Sequence, residues 1–359
     1  MIRNHKLQVA VLFWLLLAVS CSRRQATENV PKLPKPPANI KTLSNFQGLD
    51  RYGFFFALVT QSGKPFVQLS DWVNKEPSEV PKEKICIAQI VPTLVLLHSP
   101  DVPVHPEFVG REYILMRNHE PVCRGKMEMP LLVGHQFPGA HEWNEWDVEP
   151  WSEPTPSLEE VSKKVPLAEL WKKSYVFSGA PLSCTVKETD LDYNKVFWAR
   201  FVDMPSPIFL LKDIPQDVRS HIRKEAVQRL NATGFADKVR QFREDMGNDE
   251  IQPNLEISMW SDTQSIFVEM RAFVGEEECG GGGMSQWLLW QVTNSQWEEI
   301  AHENRMRNIV MIADFNEDGK YEIVISEYNS TLMITLYELE GLYLKKVMRM
   351  EYPSYEAAC

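Results

Sequence analysis

The sequence predicts an α+β, β-rich protein: antiparallel strands with a central helical segment and a C-terminal β-module. Three patterns lead to that class. Apolar runs of strand length, separated by Gly, Asn, Ser and Pro, recur between residues 40 and 155 and again from residue 254. Between these stretches, Ile214, Val218, Ile222, Ala226 and Leu230 repeat at helical spacing; beyond Thr233 and Gly234, Phe235, Val239, Phe242 and Met246 continue it. Residues 287–350 then alternate apolar and polar positions through successive hairpins.

The 359-residue length allows two or more cores at roughly 100–200 residues per domain. The chain opens with Arg3, His5 and Lys6, followed by an apolar run from Leu7 to Val19 that only Gln8 interrupts. Residues 1–20 therefore read as a signal peptide, too short for an ordinary membrane span. Ala18, Val19, Ser20 and Cys21 together resemble the lipobox of bacterial lipoproteins. That resemblance implies lipid attachment at Cys21 and, with Ser22 in the second mature position, anchoring to the outer membrane. Ordinary cleavage after Ser20, giving a secreted soluble protein, fits the same small residues. Residues 21–39 are polar and hold Pro31, Pro34, Pro36 and Pro37, as an extended tether does.

Residues 40–155 form a β-rich N-terminal region, with strands expected at 52–60, 64–69, 85–91 and 113–116. The segment 135–157 sets His135 and His141 among carboxylates, tryptophans and prolines. It reads as a metal site, as a tryptophan surface for a carbohydrate or peptide, or as an irregular loop pinned to the core. Residues 156–250 form a mixed region. Ser157 with Glu160 suits a helix start, the helix running toward 175 with Pro166 interrupting it. Strands follow at 194–202 and 208–211, then the two helices, the first with Pro215 in its first turn. Residues 251–359 form the C-terminal module. The glycines 280–283 lack the lysine and following helix of a phosphate loop, so they read as a turn.

Six cysteines are present, none in C-x-x-C spacing, which argues against a zinc ribbon or a thioredoxin-type centre. In an exported chain cysteines form disulfides; lipidation of Cys21 would leave five, with one thiol free or paired between chains, and ordinary cleavage would leave six, enough for three bridges. The expected pairs are Cys86 with Cys123, clamping neighbouring strands, and Cys279 with Cys359, tying down the terminus.

The stretch 314–322 carries the sharpest chemistry. Asp314, Asn316, Asp318 and Glu322 stand at positions 1, 3, 5 and 9, with Gly319 at position 6 and the Lys320 carbonyl at position 7. Alternating oxygens around a sharp turn suit Ca²⁺. Position 12 holds Ile325 where an EF-hand needs a bidentate Glu, which excludes that motif. With apolar strands on both sides, the stretch resembles the FG-GAP or VCBS repeat, the blade unit of integrin-type β-propellers. The resemblance implies a structural Ca²⁺ held by Asp314, Asn316, Asp318, Lys320 and Glu322. The family usually has Asp at the ninth position; the longer Glu322 would reach the ion through water or point away. An acidic turn that holds no ion is the alternative. Only one such loop occurs, and a propeller needs several blades. The module is therefore expected to be blade-like and not a full propeller.

A formal net charge of -11 argues against nucleic acid as the main partner. No G-x-S-x-G, H-E-x-x-H or P-loop sequence is present. The combined reading is an exported, lipid-anchored envelope protein that binds a protein or glycan ligand and keeps a structural calcium. An envelope hydrolase is the alternative, because two carboxylates distant in sequence leave no local signature.

Overall fold

Period-two alternation of buried side chains builds three antiparallel sheets in the computed structural model of the chain. The structure describes residues 52–59, 63–69, 73–74, 85–86, 94–97, 108–136, 174–186, 196–210, 214–262, 264–275, 283–329 and 331–352. All lie in the unit Leu43–Cys359.

The first sheet comprises β1 (Phe55–Val59), β2 (Pro65–Gln68), β3 (Val73–Asn74), β4 (Ile85–Cys86), β5 (Leu94–Leu97), β6 (Glu112–Arg117), β7 (Glu120–Lys126), β8 (Leu131–Gln136), β9 (Ser174–Pro181) and β10 (Phe197–Phe201). Its order is β4-β5-β8-β9-β2-β1-β10-β6-β7, with β3 paired to β9. After β11 (Ile208–Phe209) come two helices, α1 (Gln216–Ala232) and α2 (Phe235–Met246). Pro215 is the N-cap of α1, just outside the turn expected to contain it. Two meanders complete the fold. One is β12 (Asn254–Ser261), β13 (Ser265–Val274), β14 (Met284–Thr293) and β15 (Gln296–Glu303). The other is β16 (Arg307–Asp314), β17 (Glu322–Asn329), β18 (Thr331–Glu340) and β19 (Tyr343–Tyr352), with β11 added beside β16.

The two meanders divide their side chains between separate cores. One face of β12–β15, through Met270, Leu288 and Trp290, packs on Ile222, Leu230, Phe235 and Val239 of the helices. Its other face, through Trp260, Phe267, Trp287 and Leu289, packs on Ile309, Ile312, Ile323 and Ile325 of the second meander. The second meander then turns Val324, Ile334, Leu336 and Met350 toward Phe54, Phe56 and Trp198 of the first sheet. The fold is β-rich α+β, and its C-terminal part consists of two stacked blade-like sheets.

Several expectations change in detail. The strands of 174–201 pair with those of 55–136, while the helices pack on 254–303, so the 156–250 region supplies both ends of the fold. Ser174 and Tyr175, expected at the end of a helix, begin β9; the rest of that helix reading lies outside the described residues. Cys123 bonds Cys184 and not Cys86. Cys86 is on β4, at the opposite end of the strand order from β7, which carries Cys123. The pairing joins β7 to the strap after β9, where Lys126 N–H donates to Ser183 Oγ at 2.8 Å. Gly125 permits the approach: a Cβ there would lie 2.9 Å from the Cys184 nitrogen. Cys21, Cys279 and Cys359 lie outside the described residues.

Candidate functional site

The hairpin between β16 and β17 holds all five residues of the expected cation loop. Asp314 closes β16 and is buried at 5% exposure. Its Oδ1 accepts from Asp318 N–H at 3.1 Å and its Oδ2 from Gly319 N–H at 2.8 Å. Asn316 Oδ1 also accepts from Asp318 N–H, and Asp318 Oδ1 accepts from Lys320 N–H at 3.0 Å. These bonds wind the loop around its own oxygens. Gly319, at φ +82°, takes the left-handed conformation that the sharp turn demands. Phe315 anchors the loop from below, its ring 4.8 Å from Phe54 and 5.1 Å from Trp198.

Glu322 neither reaches outward nor joins the rim. It opens β17 with 0% exposure and folds under the loop, where Oε2 accepts from Phe315 N–H at 3.0 Å. Its Oε1 is buried and receives no hydrogen bond. Directly across the ladder stands Glu338, also at 0% exposure. Like charges opposed in a sheet repel. Glu338 is compensated: Oε2 accepts from Tyr52 OH at 2.7 Å, Oε1 accepts from Lys320 Nζ at 3.2 Å, and Lys345 Nζ lies 3.8 Å from Oε2. Among the described residues, no cation pairs with Glu322 in this way. Burial, followed by the charges of Asp318, Asp314 and Glu338, pushes its carboxyl up to about 7 against the opposing Phe315 bond.

The donor set suits a hard cation. Its side-chain ligands are oxygens, one buried carboxylate oxygen is without a donor, and each Asp314 oxygen keeps acceptor capacity beyond its single bond. Among the described residues, no three His, Cys, Asp or Glu side chains are grouped closely enough to hold a metal alone. A cation at this hairpin would therefore draw on Asn316, the Lys320 carbonyl and water together with the acids. Glu338, Tyr52 and Lys345 complete the electrostatics and are absent from the sequence motif. The inward alternation of Ile334, Leu336 and Glu338 on β18 is the signal that could have found the first of them.

The loop is also tied to the neighbouring meander. Tyr321 OH donates to Asp262 Oδ2 in the β12–β13 turn. Burial raises the Tyr321 hydroxyl pKa, and the Asp262 bond raises it further. At Asp262, burial acts upward but the bonds from Tyr321, Gln264 and Ser265 outweigh it, so that carboxyl is lowered.

His135 lies on β8, its backbone opposite Leu94 and Tyr175. His141 and the tryptophan-rich part of 135–157 lie outside the described residues. No protein-family model, curated protein or solved structure matches the chain.

Proposed function

We propose that this is an exported, lipid-anchored envelope protein that acts as a binding or assembly module, with a structural Ca²⁺ closing the β16–β17 hairpin. The observation that carries the calcium reading is the buried Glu322 oxygen without a donor, facing Asp314, Asp318 and Glu338. An uncompensated buried charge is costly, and a divalent cation relieves it. Asp314, Asn316, Asp318 and the Lys320 carbonyl would hold the ion from the rim, with Glu322 beneath. Export and lipid attachment at Cys21 rest on residues 1–21. The Cys123–Cys184 disulfide supports export, since such bonds persist in oxidising compartments. The partner is a protein or glycan of the envelope, reached from a membrane through the lipid and the 21–39 tether.

Thermal melting with excess Ca²⁺ against chelator tests the ion. Calcium should raise the melting temperature, and Asp318→Ala should abolish the rise. Identical melting of the wild-type protein in both buffers would end the calcium reading.

A further inference from the structure

A second site, sharing no residue with the acidic loop 314–322, lies where β12, β13, β16, β11 and the β6–β7 turn meet. The cleft there has a volume of about 720 Å³. Small-ligand sites typically span about 300–1,000 Å³. Its walls are of two kinds. Trp260, Phe209, Leu210 and the apolar residues of β16 supply the apolar lining; Arg271, Asn308, Ser258 and His119 supply polar groups. No Asp or Glu is among the described residues that line it, and the two acids opposite its residues on the β12–β13 ladder are engaged, Glu256 by Arg271 and Glu269 by Trp287 and Ile309.

Among the described residues of that lining, Arg271 is the one obligate cation. Its Nη2 pairs with Glu256 on β12, which is 44% exposed. Its Nε is buried and donates to no acceptor. A guanidinium carries five donors in a planar fork that matches an oxyanion in bidentate fashion. One exposed partner leaves much of that capacity unused.

We propose that this cleft binds a small organic anion, its carboxylate or phosphate head on Arg271 and its apolar body against Phe209 and Val310, the half-buried apolar residues of the lining. Asn308 and Ser258 add neutral polar groups beside the head. The inference does not rest on calcium, so its test is run both with Ca²⁺ and with chelator.

The full chain is titrated calorimetrically with naphthalene-1-acetate, 1-naphthyl phosphate and the neutral 1-naphthaleneacetamide. At least one anion should bind about ten- to a hundredfold more tightly than the amide, the span expected for a charge-assisted contact. The tighter anion identifies the head group. Arg271→Gln should erase the preference for the anion. Glu256→Gln breaks the same ion pair but leaves the guanidinium, and should retain the preference or strengthen it. Ser258→Phe, which fills the cleft, should abolish binding. Equal affinity for anions and amide, no binding of either anion at millimolar concentration, or undiminished binding by Ser258→Phe would overturn the proposal. So would equal losses from Arg271→Gln and Glu256→Gln. If Arg271→Gln does not fold, the amide comparison and the Ser258 variant still decide the matter.

Discussion

The two C-terminal meanders share a four-stranded plan, and each buries a glutamate completely on its second strand, yet the two acids do opposite things. Glu269 on β13 is a connector. Its Oε1 accepts from Trp287 Nε1 at 2.8 Å and from Ile309 N–H at 2.7 Å. The second bond crosses to the other meander at the point where the β16–β17 register shifts. Glu322 on β17 accepts one backbone bond and faces three further carboxylates. A buried acid stabilises a fold when donors surround it, and strains the fold when other acids do. The contrast separates a structural acid from one suited to hold a ligand, which residue type and burial alone do not.

The largest effects should come from the aromatic anchors beneath the two acids. Trp287→Ala and Phe315→Ala should each cost about 3–5 kcal/mol in denaturant unfolding. Only Phe315→Ala should also remove the stabilisation by calcium, because Phe315 seats the acidic loop. Equal calcium responses in the two variants would break the contrast.

Protonation gives the next effect. Glu322 holds its proton up to about 7 in the folded state, against an ordinary value of 4.5. Between those values the folded state binds more protons than the unfolded state, so stability falls as pH rises. The penalty is absent below 4.5 and fully present above 7, reaching at most about 3 kcal/mol. In chelator, Glu322→Gln should therefore match the wild type at pH 4 and exceed it at pH 8. Parallel stability curves across that window would remove the strain assigned to Glu322.

Glu269→Gln should show the reverse sign. Loss of a charged acceptor for two buried donors should cost about 2 kcal/mol in urea unfolding, with or without calcium. Last, Tyr321→Phe should cost about 1 kcal/mol by releasing the link to Asp262. A double-mutant cycle with Asp262→Asn measures that coupling; additive losses would show the turns to be independent.

Local patterns made much of the architecture legible. The spacing from Ile222 to Phe242 marks the buried face of both helices, and the alternation in 287–350 marks strands whose inward residues are buried as expected. The loop at 314–322 was readable because its residues are consecutive. Strands β7, β8 and β9 were less so. β7 buries only Gly125 and mixes Pro121, Cys123 and Arg124, so it gives little apolar alternation to read. The partner of Cys123 was unreadable for another reason: a separation of 61 residues leaves the pairing to sheet order.

By itself, the sequence determined the type of most elements and the acidic hairpin, which depend on residues a few positions apart, and the acidic charge balance, which depends on composition alone. Tertiary structure decided which strands share a sheet, which core each meander face enters, and that Glu338 and Tyr52 stand behind the hairpin. Tyr52 and Glu338 are 286 residues apart in the chain, and only the packing of the first sheet on the last brings the hydroxyl to the carboxylate. The same packing withdraws Glu322 from water and so sets the charge imbalance that a cation would relieve.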